Sequence, residues 1–309
     1  MDKNLKHTPV MLEEALWFLD LKEDLFVLDA TFGMGGHGFQ IAERIKPGLL
    51  IGLEKDPFTY SLVSQKISPF SNIRLFNVGY EKLDLLMLKL GLNHFDRAFF
   101  DLGISSVTLE SGRGFSYKKD EVLDLRFDPR EGKSAYELIK ETDERELEKI
   151  LRLYGEEKKS KIIAKRIKAI AKNVDILRTT HIAKIVDSLY HPKMRDRSKA
   201  RVWQALRIYT NNELENLRRG LALALKYLNV GGRLVVITFH SLEDRMVKSL
   251  KFYDFVEDVT GKPILPSEEE VKRNPRSRSA KMRVFVKVGE INHHTLLRDR
   301  RFANPFRVR

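Results

Sequence analysis

The stretch Val27-Leu28-Asp29-Ala30-Thr31-Phe32-Gly33-Met34-Gly35-Gly36-His37-Gly38 decides the fold. A short apolar run ends in an acid, four glycines fall within six residues, and an amphipathic pattern follows. That order predicts a strand, a tight loop and a helix start, where missing β-carbons let the backbone approach a bound nucleoside. A second apolar run, Leu49–Leu53, ends in Glu54, whose carboxylate suits ribose hydroxyls. Gly33, Gly35 and Gly38 satisfy G-x-G-x-x-G, which taken alone fits a nicotinamide dinucleotide or a ligand-free turn as well.

Outward from that loop, strand and helix patterns alternate. Strands are predicted near Leu25–Asp29, Leu49–Glu54, Asn72–Phe76 and Arg97–Asp101, with helices over His37–Lys46, Phe58–Ile67 and Glu81–Leu90. Such alternation argues for βαβ units and a mostly parallel sheet covered on both faces. From Val107 to about Ala200 the pattern turns helical, and we read 107–203 as an inserted helical domain between core segments 1–106 and 204–309. In it Ile163, Ile167 and Ile170 share one face, and Lys161, Lys165, Arg166, Lys168 and Lys172 the other. One such stripe alone is an ordinary solvated face; the cluster Lys193, Arg195, Arg197, Lys199 and Arg201 makes a substrate-binding role more attractive. Thr179 or Thr180 is expected to cap the next helix.

The alternation then resumes. Asn229-Val230-Gly231-Gly232 reads as a helix stop before the strand Arg233–Phe239, and Ser241 and Asp244 have capping-box spacing. Pro263–Pro275 reads as a surface loop, and Met282–Val288 as a last strand before a basic tail.

Composition narrows the chemistry. At 309 residues the chain can bury a large core, and no apolar run approaches the roughly 18 residues of a membrane span. The first residues carry no apolar signal core, so a cytoplasmic protein is expected. The absence of cysteine excludes disulfides, thiolate metal sites and thiol nucleophiles, and with them the covalent route to carbon-5 methylation of cytosine. His293-His294 lacks partners at ligand spacing, so no metal site is expected. The net charge is +13, of which Lys272–Arg309 contributes +10, with 12 basic residues against Glu290 and Asp299. With Phe285, Phe302 and Phe306 interleaved, that segment suits a polyanion, most plausibly RNA.

Three more motifs stand at strand ends or before the last strand: Asp101-Leu102-Gly103-Ile104-Ser105-Ser106, Thr238-Phe239-His240-Ser241-Leu242-Glu243-Asp244-Arg245 and Pro275-Arg276-Ser277-Arg278-Ser279. Together with the loop, His7-Thr8-Pro9-Val10, Arg113-Gly114-Phe115-Ser116-Tyr117, Leu123–Pro129, Tyr154-Gly155-Glu156-Glu157 and Gln204–Ile208, the chain resembles the bacterial 16S rRNA (cytosine-N(4))-methyltransferase family. The resemblance runs from His7 to about Val284.

It implies a class I methyltransferase (Rossmann-like) α/β core, S-adenosylmethionine as cofactor, and a decoding-centre cytosine in 16S rRNA or the assembling small subunit as substrate. Homodimers are also compatible with it. By motif position it places Gly35, Gly36 and His37 against the cofactor, Glu54 on the ribose, Tyr80 near the adenine, and Asp101 and Thr108 as further contacts. Glu54, Tyr80 and Thr108 stand where the family can carry aspartate, phenylalanine and glutamine.

Elementary chemistry points the same way. A sulfonium is cationic, so acids such as Asp29 and Asp101 beside it make electrostatic sense. Cytosine's exocyclic amine is a poor nucleophile until an acceptor takes one of its protons. Asp101 is the candidate for that role, with His240 as a second catalytic candidate positioning base or phosphate. The base must leave its stack to be reached. A nicotinamide-dependent oxidoreductase or a non-catalytic RNA-binding protein on the same scaffold are the competing readings.

Overall fold

A computed structural model describes residues 8–291, 293–299 and 302. His7 of the early motif, the rest of the N-terminal segment and Phe306 lie outside the described residues. In chain order, α1 (Leu12–Leu19), β1 (Phe26–Asp29), α2 (Gly36–Arg44), β2 (Leu49–Leu53), α3 (Pro57–Ser64), β3 (Ile73–Phe76), α4 (Leu83–Leu90) and β4 (Phe95–Asp101) come first. Six helices follow: α5 (Ser106–Leu109), α6 (Ala135–Glu141), α7 (Glu144–Gly155), α8 (Ser160–Ala171), α9 (Thr179–Leu189) and α10 (Pro192–Asn211). The chain then runs through α11 (Glu213–Tyr227), β5 (Leu228–Thr238), α12 (Ser241–Ser249), β6 (Val256–Asp258), α13 (Glu268–Arg273), β7 (Lys281–Lys287) and α14 (His293–Arg298). Among the described residues no helix is long and apolar enough to cross a membrane.

The seven strands form one sheet in the order β3-β2-β1-β4-β5-β7-β6. The first five are parallel, and β7 runs antiparallel between β5 and β6. This is the class I methyltransferase arrangement, a doubly wound sheet with one reversed strand. Because β1 pairs with both β2 and β4, the strand order reverses there. Open α/β sheets hold ligands at the carboxyl ends of strands beside such a reversal. Asp29, Glu54 and Asp101 stand at those ends, or one residue beyond. The strands are rigid supports: Val27, Leu50, Phe99, Phe100 and Val235 are fully buried, each contributing about 1.5–3 kcal/mol by leaving water.

The chain divides into two compact units, residues 1–103 with 214–309, and residues 104–213. The second unit has its own core, including Phe115, Leu123, Leu147, Ile163, Ile167, Ile182 and Trp203. Its boundaries fall three residues before and ten after those read from the sequence, since α10 continues to Asn211 without a break. Within it Glu157 is a hub. Its carboxylate accepts hydrogen bonds from Tyr190 and Ser198 and pairs with Arg201 at 3.1 Å. Thr179 is not a cap; its buried hydroxyl ties the start of α9 to the carbonyl of Lys119.

Four other local expectations need correction. The helix stop read at Asn229–Gly232 comes two residues earlier, at Tyr227, and these four residues form a bulge within β5. Phe95 pairs with Leu228 and Arg97 with Arg233, so the four intervening residues loop out opposite Asp96 alone. Gly231, at φ +82°, makes that excursion possible, and Asn229 anchors it on Asp96 at 2.8 Å. Pro263–Pro275 is not all loop, because Ser267 caps α13. From α13, Glu270 reaches back 259 residues to accept the Met11 N–H at 2.7 Å. The cap of α12 is His240 with Glu243, one residue before the expected pair; Asp244 instead binds Arg283 at 2.7 Å. Finally, Phe285 and Phe302 are fully buried, so neither offers a ring to a nucleic acid.

Candidate active site

The loop after β1 is shaped by packing as much as by ligand access. The N–H groups of Ala30 and Phe32 bond the carbonyls of Phe99 and Leu53, extending the strand's pairing past Asp29. Phe32 then turns inward, edge-on to Phe39, with ring centroids 5.7 Å apart. A β-carbon on Gly38 would lie 2.3 Å from the Phe32 ring, and one on Gly52 would lie 2.4 Å from it. Gly36 is held similarly against Pro9. Of the loop's four glycines Gly33 alone is uncrowded, a β-carbon there meeting only the Thr31 carbonyl at 3.8 Å, and with Gly35 it has positive φ, +53° and +83°. Close approach of a ligand is thus an argument for Gly33, whereas Gly38 and Gly52 make room for one aromatic ring. Gly38→Ala should destabilise the fold by about 1–3 kcal/mol, read as a lowered denaturant midpoint. An unchanged midpoint would show that the ring can move aside.

Three carboxyl groups gather at the sheet's carboxyl edge. Asp29 is 1% exposed; its Oδ1 accepts the Thr31 N–H at 3.1 Å, and its Oδ2 has no partner. Asp101 is anchored by its own N–H, which donates to the Thr31 hydroxyl at 2.6 Å, while its Oδ1 is buried without a partner. Glu54 accepts the Asp56 N–H at 2.7 Å and is faced by the Gly33 N–H.

Burial raises all three. Asp29 is pushed up to about 7 by desolvation, against the lowering effect of the Thr31 N–H. Asp101 also rises to about 7, by desolvation first and then by the negative charges of Asp29 and Glu243. Glu54 rises to about 8, again chiefly by desolvation. None of the three pairs with a lysine or arginine among the described residues. Buried carboxyls with orphaned oxygens and no cation are the complement of a positively charged ligand.

His37 lies on the first turn of α2. Its Nε2 is 3.0 Å from the Val10 carbonyl, which can only accept, so Nε2 carries the proton and Nδ1 faces Asp101 Oδ2 at 3.7 Å. Tyr80 packs its ring against the α11 backbone at Gly220 and lies 5.5 Å from Phe100. His240 Nδ1 accepts the Glu243 N–H at 3.4 Å, and its Nε2 lies 3.0 Å from Glu243 Oε1. Thr108 belongs to the second unit, where its N–H and hydroxyl both bond Ser105, each at 2.9 Å.

Sequence reasoning missed Thr31 and Glu243. Thr31 was legible only as the residue two after a strand-end acid. Glu243 had a signal, a carboxylate three residues after a possible cap.

The sheet order and the acid-rich edge define a class I methyltransferase. Residues 4–288 match the MraW methylase family, and the chain belongs to that family. It is 40% identical over 293 residues to "Ribosomal RNA small subunit methyltransferase H" of Thermotoga neapolitana, covering 92% of this chain and 97% of that protein. A protein of the same name from Dictyoglomus thermophilum is 39% identical over 284 residues, covering 90% and 95%. The one from Persephonella marina is 37% identical over 292 residues, covering 92% and 100%. The chain is a methyltransferase with S-adenosylmethionine as its cofactor, which decides against a nicotinamide dinucleotide.

Proposed function

We propose that this enzyme methylates the exocyclic amine of a decoding-centre cytosine in 16S rRNA, as free RNA or within the assembling small subunit. The names of its relatives support the rRNA substrate. The observation that carries the chemistry is Asp101, whose buried Oδ1 lacks a partner beside an equally orphaned Asp29 Oδ2.

The cofactor supplies a methyl group activated on a positively charged sulfur. On our reading Asp29 would offset that charge, the 33–37 loop would hold the cofactor, Glu54 would accept from the ribose hydroxyls, and Tyr80 would border the adenine. The cytosine, turned out of its stack, donates one amine hydrogen bond to Asp101. That bond holds nitrogen lone-pair density available for the methyl carbon. Asp101 would take the proton that the amine gives up on methylation. His37 Nδ1, facing the other Asp101 oxygen at 3.7 Å, is positioned to receive it next. His240 stiffens the turn after β5 through Glu243 and stays the second candidate for orienting base or phosphate.

Nucleoside mass spectrometry of 16S rRNA incubated with enzyme and S-adenosylmethionine tests the proposal. N4-methylcytidine at one decoding-centre position is expected. Methylation on ring carbon, on ribose or on another RNA would overturn it.

A further inference from the structure

The second unit carries a cationic stripe of a particular kind on α8. From Lys158 to Val174 the chain holds seven basic residues and no acid. Three of the seven are committed within the unit. Lys159 lies over the Tyr190 ring at 4.4 Å, and Arg166 donates to Ser188 at 2.7 Å. Lys168 turns its ammonium onto the carbonyls of Ile139, Lys140 and Thr142 at the end of α6. It therefore caps another helix and is not part of the solvated face that periodicity assigned it.

Lys161, Lys165 and Lys172 behave differently. All three are exposed, and no carboxylate pairs with them among the described residues. Four- and eleven-residue spacings place them within about 40° of one another around the helix, along about 16 Å of its length. The buried residues of α8, Ile163, Ala164, Ile167 and Ala171, hold the opposite side of the helix fixed. Elsewhere in the unit exposed lysines find acids: Lys133 pairs with Glu141 and Lys149 with Glu146. A row of like charges without a neutralising acid opposes folding of its own helix. Its physical complement is a linear row of negative charges, as along a polynucleotide backbone.

We propose that Lys161, Lys165 and Lys172 form a track for the phosphate backbone of the RNA substrate, a contact without base preference. This rests on the rRNA reading above and assigns part of that recognition to three residues of the second unit.

The test measures the affinity of the full-length enzyme for poly(U) as a function of salt. Poly(U) contains no cytosine, so the result stands whether or not decoding-centre methylation is observed. The variant K161Q/K165Q/K172Q should flatten the log–log salt slope by about 2, three phosphates at about 0.7 each. It should also weaken binding about tenfold at low salt. Its melting temperature and S-adenosylmethionine affinity should not fall, because no partner is lost. A charge-matched control, K22Q/K66Q/K89Q, removes three exposed lysines from the other unit. An unchanged slope in the first variant, or an equal change in the control, overturns the proposal.

Discussion

Replacing Asp101 with alanine should lower methyl transfer by about 10²–10⁴-fold while leaving the protein folded. The carboxylate lies at the end of β4, its backbone N–H held on Thr31, and among the described residues no lysine or arginine pairs with it. Wild-type kcat/KM should rise with pH through about 7, since burial and the neighbouring charges of Asp29 and Glu243 keep Asp101 protonated to there. An unperturbed aspartate would place that limb near 4. Asp29 rises into the same range, so the limb belongs to the coupled pair. Single-turnover transfer of a labelled methyl group across pH reads both effects. A variant that turns over at the wild-type rate would remove Asp101 from the chemistry, and a limb near 4 would mean the edge is wetter than its burial implies.

Asp29→Asn should make the protein more stable and worse at binding its cofactor. The sign follows from linkage. The folded-state pKa of about 7 lies above the ordinary aspartate value of 3.8, so the folded form keeps a proton that the unfolded chain has released. Stability therefore falls as pH rises from about 4 to about 7, and the loss is complete above that. Asparagine keeps the acceptor for the Thr31 N–H and removes the titration. The variant's melting temperature should match wild type near pH 4 and exceed it above pH 7, by an amount equivalent to a few kcal/mol. Loss of a charge-assisted contact to a cation should weaken S-adenosylmethionine binding roughly 10- to 100-fold, measured calorimetrically at pH 8. Tight binding with unchanged stability would mean that Asp29 serves only the turn.

Both expectations describe an edge built for charge at the expense of stability. Asp29 and Asp101 end adjacent parallel strands, burial raises both, and the charge of Asp29 further raises Asp101. Such strain persists because the surrounding sheet over-determines the positions. His37 adds to it: with Nε2 committed to Val10, its second nitrogen has Asp101 as a neighbour.

Much of this was legible in the sequence because it is local. An apolar run closed by an acid and followed by glycines specifies strand, turn and helix within a few residues, and three apolar runs closed by an acid placed Asp29, Glu54 and Asp101 at the sheet's carboxyl edge. Alternation of strands and helices fixed the parallel sheet, and its loss after Asp101 marked the inserted helices. What the tertiary structure alone decided concerns partners distant in sequence. Gly38 and Gly52 are small because the Phe32 ring lies against both. Phe285 and Phe302, which punctuate a basic segment like stacking residues, are buried in the core. Lys168 shares the stripe of Lys165 and Lys172 by periodicity, yet it caps α6. The raised carboxyls of Asp29 and Asp101 arise from desolvation, a property of everything packed around them and of no motif. Short-range order is written in spacing; burial is a sum over the whole fold.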